Sequence, residues 1–359
     1  MSVSSLLPTS FPGAFESASS FSTQRWRRLG QVLPALDGDD VWDQGPGSPH
    51  VFEWNGKLRM YYEGRQPFAM AGGRQEYRLR IGVAEASLDD PLTWHKLPGN
   101  PVLDVGPEGA PDSYWAGYPW IVRITPTHWH MYYAAWDGRY QSYGDYRRMW
   151  CTTMAESDDA GVTWTRSGRR LLEMGRPGAC DQNGSGSCSV LKVGDDYWMW
   201  YTAIVMPRTD FYRISTALAI SRDGGHTFEP HPAGAVMAIP PQLGSPGATC
   251  SKPHVEFTGG KFRMWFSCAK DGRHYRIHYA ESDDGIGFKW NPEPVLDVSG
   301  REGWDWQMVC YPSLVHVGNR SLMFYSGSGR NPRERLDGIG VAELDRRSLA
   351  DSPELSSRT

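Results

Sequence analysis

The chain has 359 residues and a formal net charge of −4, and it is rich in turn formers and aromatics, with 40 glycines, 26 prolines and 16 tryptophans. So small a net charge gives no basis for a nucleic-acid partner or a charged membrane surface. No apolar run is long enough to span a membrane. The first twenty residues lack the basic and apolar regions of a signal peptide, and the six cysteines match no zinc-binding spacing. We therefore expect a cytoplasmic, turn-rich β protein without cofactor or metal.

A pattern of four short strands recurs five times, at a spacing of about 60–70 residues. The first strand of each copy reads SPHVF at Ser48, YPWIV at Tyr118, SCSVL at Ser187, KPHVE at Lys252 and YPSLV at Tyr311. The second strands read KLRMYYEG, HWHMYYAAW, DYWMWYTAI, KFRMWFSCA and RSLMFYSGS. Alternating aromatic and polar residues between Gly and Asp clusters predict strands. Five such copies predict an all-β fold, a five-bladed β-propeller of four-stranded blades.

The N-terminal segment is predicted to complete the fifth copy, which has no fourth strand after Leu344. RWRRLGQVLPALD, at residues 25–37, matches FKWNPEPVLD, which closes the fourth copy at Phe288–Asp297. An N-terminal strand in the last blade would close the ring and protect its sheet edges. We therefore expect a loosely packed tail over 1–24, one propeller over 25–344, and a C-terminal tail over 345–359.

A Ser-x-Asp turn precedes the fourth strand in four copies, at Ser87, Ser157, Ser221 and Ser282. The clearest copy, SDDAGVTW from Ser157 to Trp164, resembles the Asp-box of sialidases. Ser and Asp side chains hold tight turns by bonding to nearby backbone groups. We predict that these turns are structural.

Four copies carry an aspartate before the first strand. Asp112, Asp181 and Asp305 stand seven residues before Pro119, Cys188 and Pro312, and Asp43 stands six before Pro49. In a propeller these loops surround one mouth of the central channel, where a site is built on a rigid scaffold. Each aspartate could cap its loop or supply a carboxylate for acid/base chemistry, and the recurrence favours the cap for most of them.

Two histidines and one glutamate make a second set of candidates. His50 and His254 occupy the same place in the first and fourth copies. Glu63 ends the second strand of the first copy, where the aligned residues of the other copies are Ala135, Ala203, Ala269 and Gly327. Because strand ends crowd around a narrow channel, we predict that five catalytic candidates converge at the mouth: Asp43, Asp181, Glu63, His50 and His254.

Aromatic and basic residues near the same loops are candidate substrate contacts. Flat rings suit sugars, and the loops joining second to third strands are basic, which favours a small-molecule substrate with a carboxylate or phosphate. The predicted binding residues are Trp42, Arg65, Asp112, Trp115, Tyr118, Lys252, Trp304, Asp305, Trp306 and Tyr311. The basic loop residues are Arg65, Arg74, Arg139, Arg147, Arg148, Arg208, Arg273, Arg330, Arg333 and Arg335.

The repeat resembles the five-bladed propellers of glycoside hydrolase families 43 and 32. The likeness rests on first strands opening with x-Pro-x-Val and on second strands ending in Tyr-x-Gly or Tyr-Ser-Gly. It implies a site of two aspartates and a glutamate around a sugar. Here Ser48 and Tyr118 stand where family 43 has aspartate before proline, and the third copy offers Asp181 but no glutamate. The family 32 motifs are also absent, so the catalytic residues do not carry over.

These observations leave three functions open. A glycosidase-like enzyme acting on a sugar-containing small molecule leads, since hydrolysis needs carboxyl groups beside the bond. An alternative is a lyase, cyclase or isomerase that uses His50 and His254 as acid and base. The third is a non-catalytic sugar-binding propeller. A pH–rate profile separates the first two, and no oligomeric state is predicted.

Overall fold

The computed structural model describes residues 24–38, 41–70, 73, 75–143, 145–206, 213–239, 247–300, 303–329 and 336–345, with the backbone alone for 140–148. Within these ranges the chain forms strands and turns and no helix, so the all-β prediction is confirmed. The same part of the chain contains no helix that is long and apolar enough to cross a membrane. The predicted tails fall almost wholly outside the described residues.

The strands follow one another in the order that the repeat predicts. In chain order they are β1 (Trp26–Pro34), β2 (Gly47–Trp54), β3 (Lys57–Ala69), β4 (Gln75–Ser87), β5 (His95–Lys96), β6 (Trp115–Arg123), β7 (Trp129–Tyr143), β8 (Asp145–Ser157), β9 (Thr165–Arg166), β10 (Ser185–Val193), β11 (Asp196–Val205), β12 (Arg213–Ser221), β13 (Glu229–Met237), β14 (Thr249–Thr258), β15 (Lys261–Ala269), β16 (Arg276–Ser282), β17 (Lys289–Trp290), β18 (Met308–Val317), β19 (Arg320–Ser328) and β20 (Gly338–Leu344).

The strands pair into three sheets. Strands β2 to β9 form one eight-stranded sheet, β10 to β17 form a second, and β18, β19, β20 and β1 form a four-stranded sheet. Neighbours are antiparallel, except that each larger sheet contains one parallel pair, Leu79 with Trp115 and Ile214 with Thr249. A single parallel pair is a weak junction, so each larger sheet consists of two antiparallel halves.

The N-terminal strand lies beside the last strand of the chain. β1 pairs antiparallel with β20 from Trp26 opposite Leu344 to Pro34 opposite Gly338. Arg27 adds an ion pair to Glu343 across the two strands at 2.9 Å. The pairing predicted from the missing fourth strand is therefore present, and β1 covers an edge that β20 would otherwise expose.

The first strand of each repeat, here called the inner strand, contacts two other inner strands. These contacts run from β2 to β6, β10, β14, β18 and back to β2. Ser313 on β18 accepts a hydrogen bond from the Val51 N–H at 2.9 Å, and Ser189 on β10 accepts one from the Val255 N–H at 3.0 Å. One strand position, at which Ser189, His254 and Ser313 accept such a bond and Trp120 donates one, thus joins neighbouring inner strands. It holds His50, Trp120, Ser189, His254 and Ser313.

The Ser-x-Asp turns are closed by their own side chains. In the turn after β8, Ser157 donates to Asp159 at 2.7 Å, and the Asp159 carboxylate accepts from the Val162 and Thr163 N–H groups at 3.0 and 2.9 Å. The Gly161 carbonyl then accepts a hydrogen bond from the Tyr61 hydroxyl of β3 at 3.0 Å. The turns at Ser157, Ser221 and Ser282 therefore each shape a hairpin and also join it to a neighbouring group of strands.

Candidate active site

Four inner strands carry a bulge beside a left-handed residue that precedes proline. Residues other than glycine rarely take this backbone conformation, and a following proline restricts the backbone further. The regular pairing is interrupted at each of these places, and a bulge redirects a side chain away from the regular ladder. The four residues, with their φ angles, are Ser48 (47°), Tyr118 (56°), Lys252 (46°) and Tyr311 (60°).

Glu63, Arg65, Tyr118, Lys252 and Tyr311, here called the mouth cluster, come from four different strands. The Arg65 side chain donates to Glu63 Oε1 through Nε at 2.8 Å and through Nη2 at 2.5 Å. The same Nη2 donates to the Tyr118 hydroxyl at 3.2 Å, and the rings of Tyr118 and Tyr311 lie 5.4 Å apart. Glu63 is fully buried, whereas 18% of the Arg65 side chain is exposed. The arginine thus lies between the carboxylate and solvent.

Glu63 replaces a small residue at a repeated position, although not the residues that the sequence alignment indicates. The register pairs Glu63 with Gly47 at the start of the inner strand. The equivalent residues are Ala134, Thr202, Ser267 and Ser326. The alignment with Ala135, Ala203, Ala269 and Gly327 is therefore wrong by one residue, or two at Ala269. The correct residues each stand three positions after the methionine that the second strands share.

The hydroxyls at this position accept backbone hydrogen bonds from the next inner strand. Thr202 Oγ1 accepts from the Lys252 N–H at 3.1 Å and Ser267 Oγ from the Tyr311 N–H at 2.7 Å. Ser326 likewise accepts from Ser48 at 2.8 Å. Glu63 does the same with Oε2, which accepts from the Tyr118 N–H at 3.1 Å. The glutamate keeps the structural bond and adds a second oxygen, with a negative charge, that the hydroxyls lack.

Lys252 is a fully buried amine next to this carboxylate. Its Nζ donates to the Pro49 carbonyl at 3.5 Å and lies 5.8 Å from the centre of the Trp120 ring. Burial lowers the pKa of Lys252 to about 8, although the thiol of Cys188 and the charge of Glu63 oppose the shift. The mouth cluster therefore holds two cationic side chains and one carboxylate.

His50 and His254 face the same channel, two residues further along their strands than Ser48 and Lys252. His254 Nδ1 accepts from the Leu314 N–H at 3.3 Å, while Nε2 lies 3.3 Å from Glu256 Oε1. The His50 ring lies 4.3 Å from the Trp120 ring, and its Nδ1 has no hydrogen-bond partner. Burial lowers the pKa of both imidazoles, so both are neutral at pH 7. Both ring nitrogens of His254 thus have hydrogen-bond partners, whereas Nδ1 of His50 has none.

Asp43 lies on the opposite face of β3 from Glu63. Its carboxylate accepts from the Tyr62 hydroxyl at 2.8 Å and pairs with Lys96 at 2.5 Å. A Cβ added at Gly64 would come within 2.5 Å of the Asp43 Cβ. Since neighbouring strand residues point to opposite faces, Asp43 shares the Tyr62 face and does not join the mouth cluster.

The other repeated aspartates make the same kind of contact. Asp181 accepts from Tyr201 at 2.7 Å, one residue before Thr202, which faces the channel. In two further copies the aspartate also pairs with an arginine of the fourth strand. These contacts are Asp112 with Tyr133 at 2.8 Å and Arg166 at 2.9 Å, and Asp305 with Tyr325 and Arg28 at 2.9 Å each. Of the five predicted catalytic residues, Glu63 thus lies in the mouth cluster, His50 and His254 pack against Trp120, and Asp43 and Asp181 bond to tyrosines on the other face of the second strands.

The tryptophans predicted as sugar platforms are used mainly in packing. Trp42 stacks on Tyr62 at 5.8 Å, and Trp304 stacks on Tyr325 at 5.7 Å. Trp115 is buried. Trp306 is half-buried and packs beside Gly329. Three tyrosines near the mouth cluster, Tyr118, Tyr275 and Tyr311, also keep exposed surface.

Part of the predicted basic rim lies outside the described residues. Arg74, Arg208, Arg330, Arg333 and Arg335 belong to this group, as do the side chains of Arg147 and Arg148. Of the rest, Arg139 pairs with Asp137 at 2.6 Å. A cavity of about 450 Å³ lies elsewhere, along the turn between β2 and β3, and is lined by Lys57, Glu85 and His95. Lys57 and His95 are exposed, and a surface ion pair such as that of Lys57 with Glu85 has little energetic weight, so the mouth cluster remains the better candidate site.

Comparison with known proteins identifies the family. The profile of the glycosyl hydrolases family 32 N-terminal domain matches residues 110–348. The chain belongs to this family. An uncharacterised protein of Mycobacterium tuberculosis is 27% identical over 330 residues, which is 89% of this chain and 99% of that protein. The fold is therefore a glycoside hydrolase-like propeller, and the family indicates a glycosidase-like protein that acts on a sugar.

Solved structures share this fold at low sequence identity. A glycosyl hydrolase from Bacteroides ovatus superimposes with a TM-score of 0.66 at 15% identity, over 94% of this chain and 98% of that one. A family 117 glycoside hydrolase of the marine bacterium Zobellia galactanivorans gives 0.64 at 16% identity, over 90% and 92%. A protein of glycoside hydrolase family 130, described as mannoside phosphorylases that include hydrolases of β-1,2-mannosidic linkages in Candida mannan, gives 0.63 at 15%, over 93% and 96%.

Proposed function

We propose that this protein is a glycosidase-like enzyme of five blades, spanning residues 25–344, with its site at the mouth cluster and Glu63 as the reacting carboxylate. The cyclic contacts of the five inner strands support the blade count. Arg28 of β1 supports closure, because it takes the place in the Asp305 contact that Lys96 takes with Asp43. Ser326 of β19 also accepts a hydrogen bond from the Ser48 amide of β2, which joins the last repeat to the first. The cytoplasmic location and the lack of a cofactor remain predictions.

The observation that carries the proposal is the buried Glu63 carboxylate at a position where equivalent residues are hydroxyls or alanine. Cleavage of a glycosidic bond requires proton transfer and stabilisation of positive charge on the sugar ring. Glu63 carries a negative charge paired with Arg65, so it is suited to stabilising that cation or accepting a proton. Tyr118 and Tyr311 offer ring faces and hydroxyls to a sugar.

A second candidate is transfer of the glycosyl group to inorganic phosphate. The described part of the mouth holds one carboxylate and two cationic groups, Arg65 and Lys252, and hydrolysis ordinarily uses two carboxyl groups. A bound phosphate could take the place of the second carboxylate as the attacking group, held by the two cations. The structural similarity to a family that contains mannoside phosphorylases agrees with this candidate.

Chemistry by the two histidines is supported less well. His254 is committed to a backbone amide through one nitrogen and to Glu256 through the other. Its position in the repeat is one that Ser189 and Ser313 use to bond neighbouring strands. A histidine in that place serves as a scaffold group, so we expect turnover to depend on Glu63 more than on His254.

The test is a screen of aryl glycosides and manno- and fructo-oligosaccharides, with and without inorganic phosphate, for free sugar or sugar phosphate. We expect wild type to release product and Glu63→Gln to lose most of that rate while staying folded. Asp43→Asn, in the loop that packs against the other face of β3, is the matched control. Full turnover in Glu63→Gln would overturn the assignment. Sugar binding without turnover would support a binding propeller instead.

A further inference from the structure

Three histidines and a glutamate meet at the opposite ends of the strands from the mouth cluster. His128 Nε2 and His130 Nε2 lie 3.2 Å apart. The Glu156 Oε1 atom lies 3.4 Å from His130 Nε2, 3.9 Å from His128 Nε2 and 3.6 Å from His226 Nδ1. The ligand atoms of His128, His130 and Glu156 thus lie within 4.8 Å of one another, and His226 approaches them through Glu156. These four residues are here called the histidine cluster.

The strand pattern explains why the residues meet. His128 and His130 are two apart at the start of β7, so they share one face. Glu156 on β8 is the register partner of His130. His226 comes from the turn between β12 and β13, where its N–H is held by the Asp223 carboxylate at 3.1 Å. The cluster therefore joins two segments that lie far apart in the sequence.

The outer nitrogens of two histidines have partners that fix their tautomers. His128 Nδ1 lies 2.6 Å from Asp158 Oδ1, a carboxylate that accepts a proton donor. His130 Nδ1 lies 3.2 Å from the Tyr132 hydroxyl, which donates its own proton to the Gly225 carbonyl at 2.9 Å. Both imidazoles therefore carry hydrogen on Nδ1 and turn an Nε2 lone pair inward. Two lone pairs at 3.2 Å repel unless a cation or a shared proton lies between them.

We propose that the histidine cluster binds one divalent transition-metal ion, with zinc as the best fit, through His128, His130 and Glu156, with His226 as the fourth ligand. Ligand atoms about 2.0–2.1 Å from a tetrahedral zinc ion lie about 3.3 Å apart, close to the 3.2–3.6 Å separations of three of these pairs. Imidazole nitrogen suits zinc, nickel and copper, and a carboxylate holding the far nitrogen of a ligating histidine is a recurrent feature of zinc sites.

The chemistry of the site indicates a structural role. His128, His130 and Glu156 supply three ligands, and His226, with Nδ1 3.6 Å from Glu156 Oε1, would fill the fourth position of a tetrahedral shell and leave none open for substrate. Such an ion would fasten the β12–β13 turn to the β7–β8 hairpin. His130 is 1% exposed, whereas the other three ligands are a third or more exposed, which leaves a path for an ion from solvent. No metal was expected here from the sequence, because only cysteine spacings were compared with zinc patterns.

The test uses the full chain, stripped with a chelator, dialysed and titrated with zinc chloride. We expect about one zinc per chain by elemental analysis and calorimetry, and a higher melting temperature with zinc than without. Cobalt(II) should show the visible absorption of a tetrahedral site. His128→Ala and His226→Ala should both lose the bound ion and the zinc-dependent rise in melting temperature.

His95→Ala provides the control, because it removes an exposed histidine of β5 outside the cluster. It should bind zinc as wild type does. If wild type retains no zinc after dialysis, a proton rather than a metal bridges the imidazoles and the proposal is overturned. It is equally overturned if both cluster variants bind zinc with wild-type stoichiometry and affinity.

Discussion

The Glu63 carboxylate accepts a hydrogen bond from the backbone N–H of Tyr118 at 3.1 Å, a bond that hydroxyls make at the equivalent places. A hydroxyl would satisfy that amide without bringing a charge into the interior. A buried charge is costly unless it is paired, and Arg65 supplies the partner. A carboxylate in one copy of a repeated structural position is therefore better explained by function than by folding.

Glu63→Ser tests this explanation, because it installs the hydroxyl used elsewhere in the repeat. The Tyr118 amide can still be satisfied and Arg65 can reach solvent, so we expect stability to change little. Loss of the carboxylate should reduce turnover by about 10²–10⁴-fold. Initial rates and a urea unfolding curve measure the two effects. Ser326→Ala is the control and should cost about 1 kcal/mol without slowing turnover.

Lys252→Met should stabilise the fold and weaken binding of an anionic substrate. Burial lowers the pKa of Lys252 from 10.5 to about 8, so the unfolded chain binds this proton more tightly than the folded one. The resulting cost is full below pH 8 and disappears as the pH rises towards 10.5. It is on the order of 3 kcal/mol, less the lost bond to Pro49.

The advantage of Lys252→Met in urea unfolding should therefore be larger at about pH 7 than at about pH 10. Arg65→Lys gives a comparison, because it keeps the positive charge beside Glu63 and changes the geometry of the hydrogen bonds. A Lys252→Met variant that is less stable than wild type at neutral pH would show that contacts beyond the Pro49 carbonyl stabilise the buried amine.

The role of β1 can be tested by truncation. Deleting residues 1–37 removes the strand that pairs with β20 and the Arg28 side chain that bonds Asp305 at 2.9 Å. We expect this chain to aggregate or melt without cooperativity, whereas deletion of residues 1–20 should leave the melting temperature unchanged. A soluble fragment of residues 38–359 with a sharp thermal transition would contradict a closed ring.

Asp159→Ala should destabilise without affecting chemistry. The carboxylate closes its turn through Ser157, Val162 and Thr163, at the strand ends opposite the mouth cluster. Loss of these bonds should cost about 1–2 kcal/mol. Thermal melts measure the cost, and turnover should be compared per folded molecule. An inactive but fully stable Asp159→Ala variant would mean that the active site lies at these strand ends and not at the mouth cluster.

The repeat allowed the strands and the β1 pairing to be predicted, because alternation and recurrence are visible in the residues. The bulges were not visible, since a left-handed residue before proline is unusual. The equivalence of Glu63 to Thr202, Ser267 and Ser326 was visible in the sequence, because each stands three residues after the methionine that the second strands share. The convergence of Arg65 and Tyr118 on Glu63 follows from the same bulges, so it could be found only in three dimensions.

The aspartates before the inner strands carry a second signal in the sequence, which their spacing alone does not reveal. Each of the four stands in a copy whose second strand has tyrosine at one position: Tyr62, Tyr133, Tyr201 and Tyr325. The fourth copy lacks the aspartate and has Phe266 there. Joint loss of both members is expected of a bonded pair that holds the loop, and it points away from a shared catalytic role.

Asp43 has two possible roles, and Asp43→Asn separates them. If the aspartate holds its loop, the amide keeps the Tyr62 bond but loses the charge that pairs with Lys96, and stability should fall by about 1–2 kcal/mol. Turnover per folded molecule should then equal wild type, because Asp43 and Glu63 lie on opposite faces of β3. If Asp43 is catalytic, as its place before the inner strand predicts, turnover should fall by orders of magnitude with little change in melting.

Measuring stability and turnover on Asp43→Asn and on Asp305→Asn, which has the same contacts in another repeat, decides the question. Equal losses of stability with unchanged rates would assign both to the scaffold.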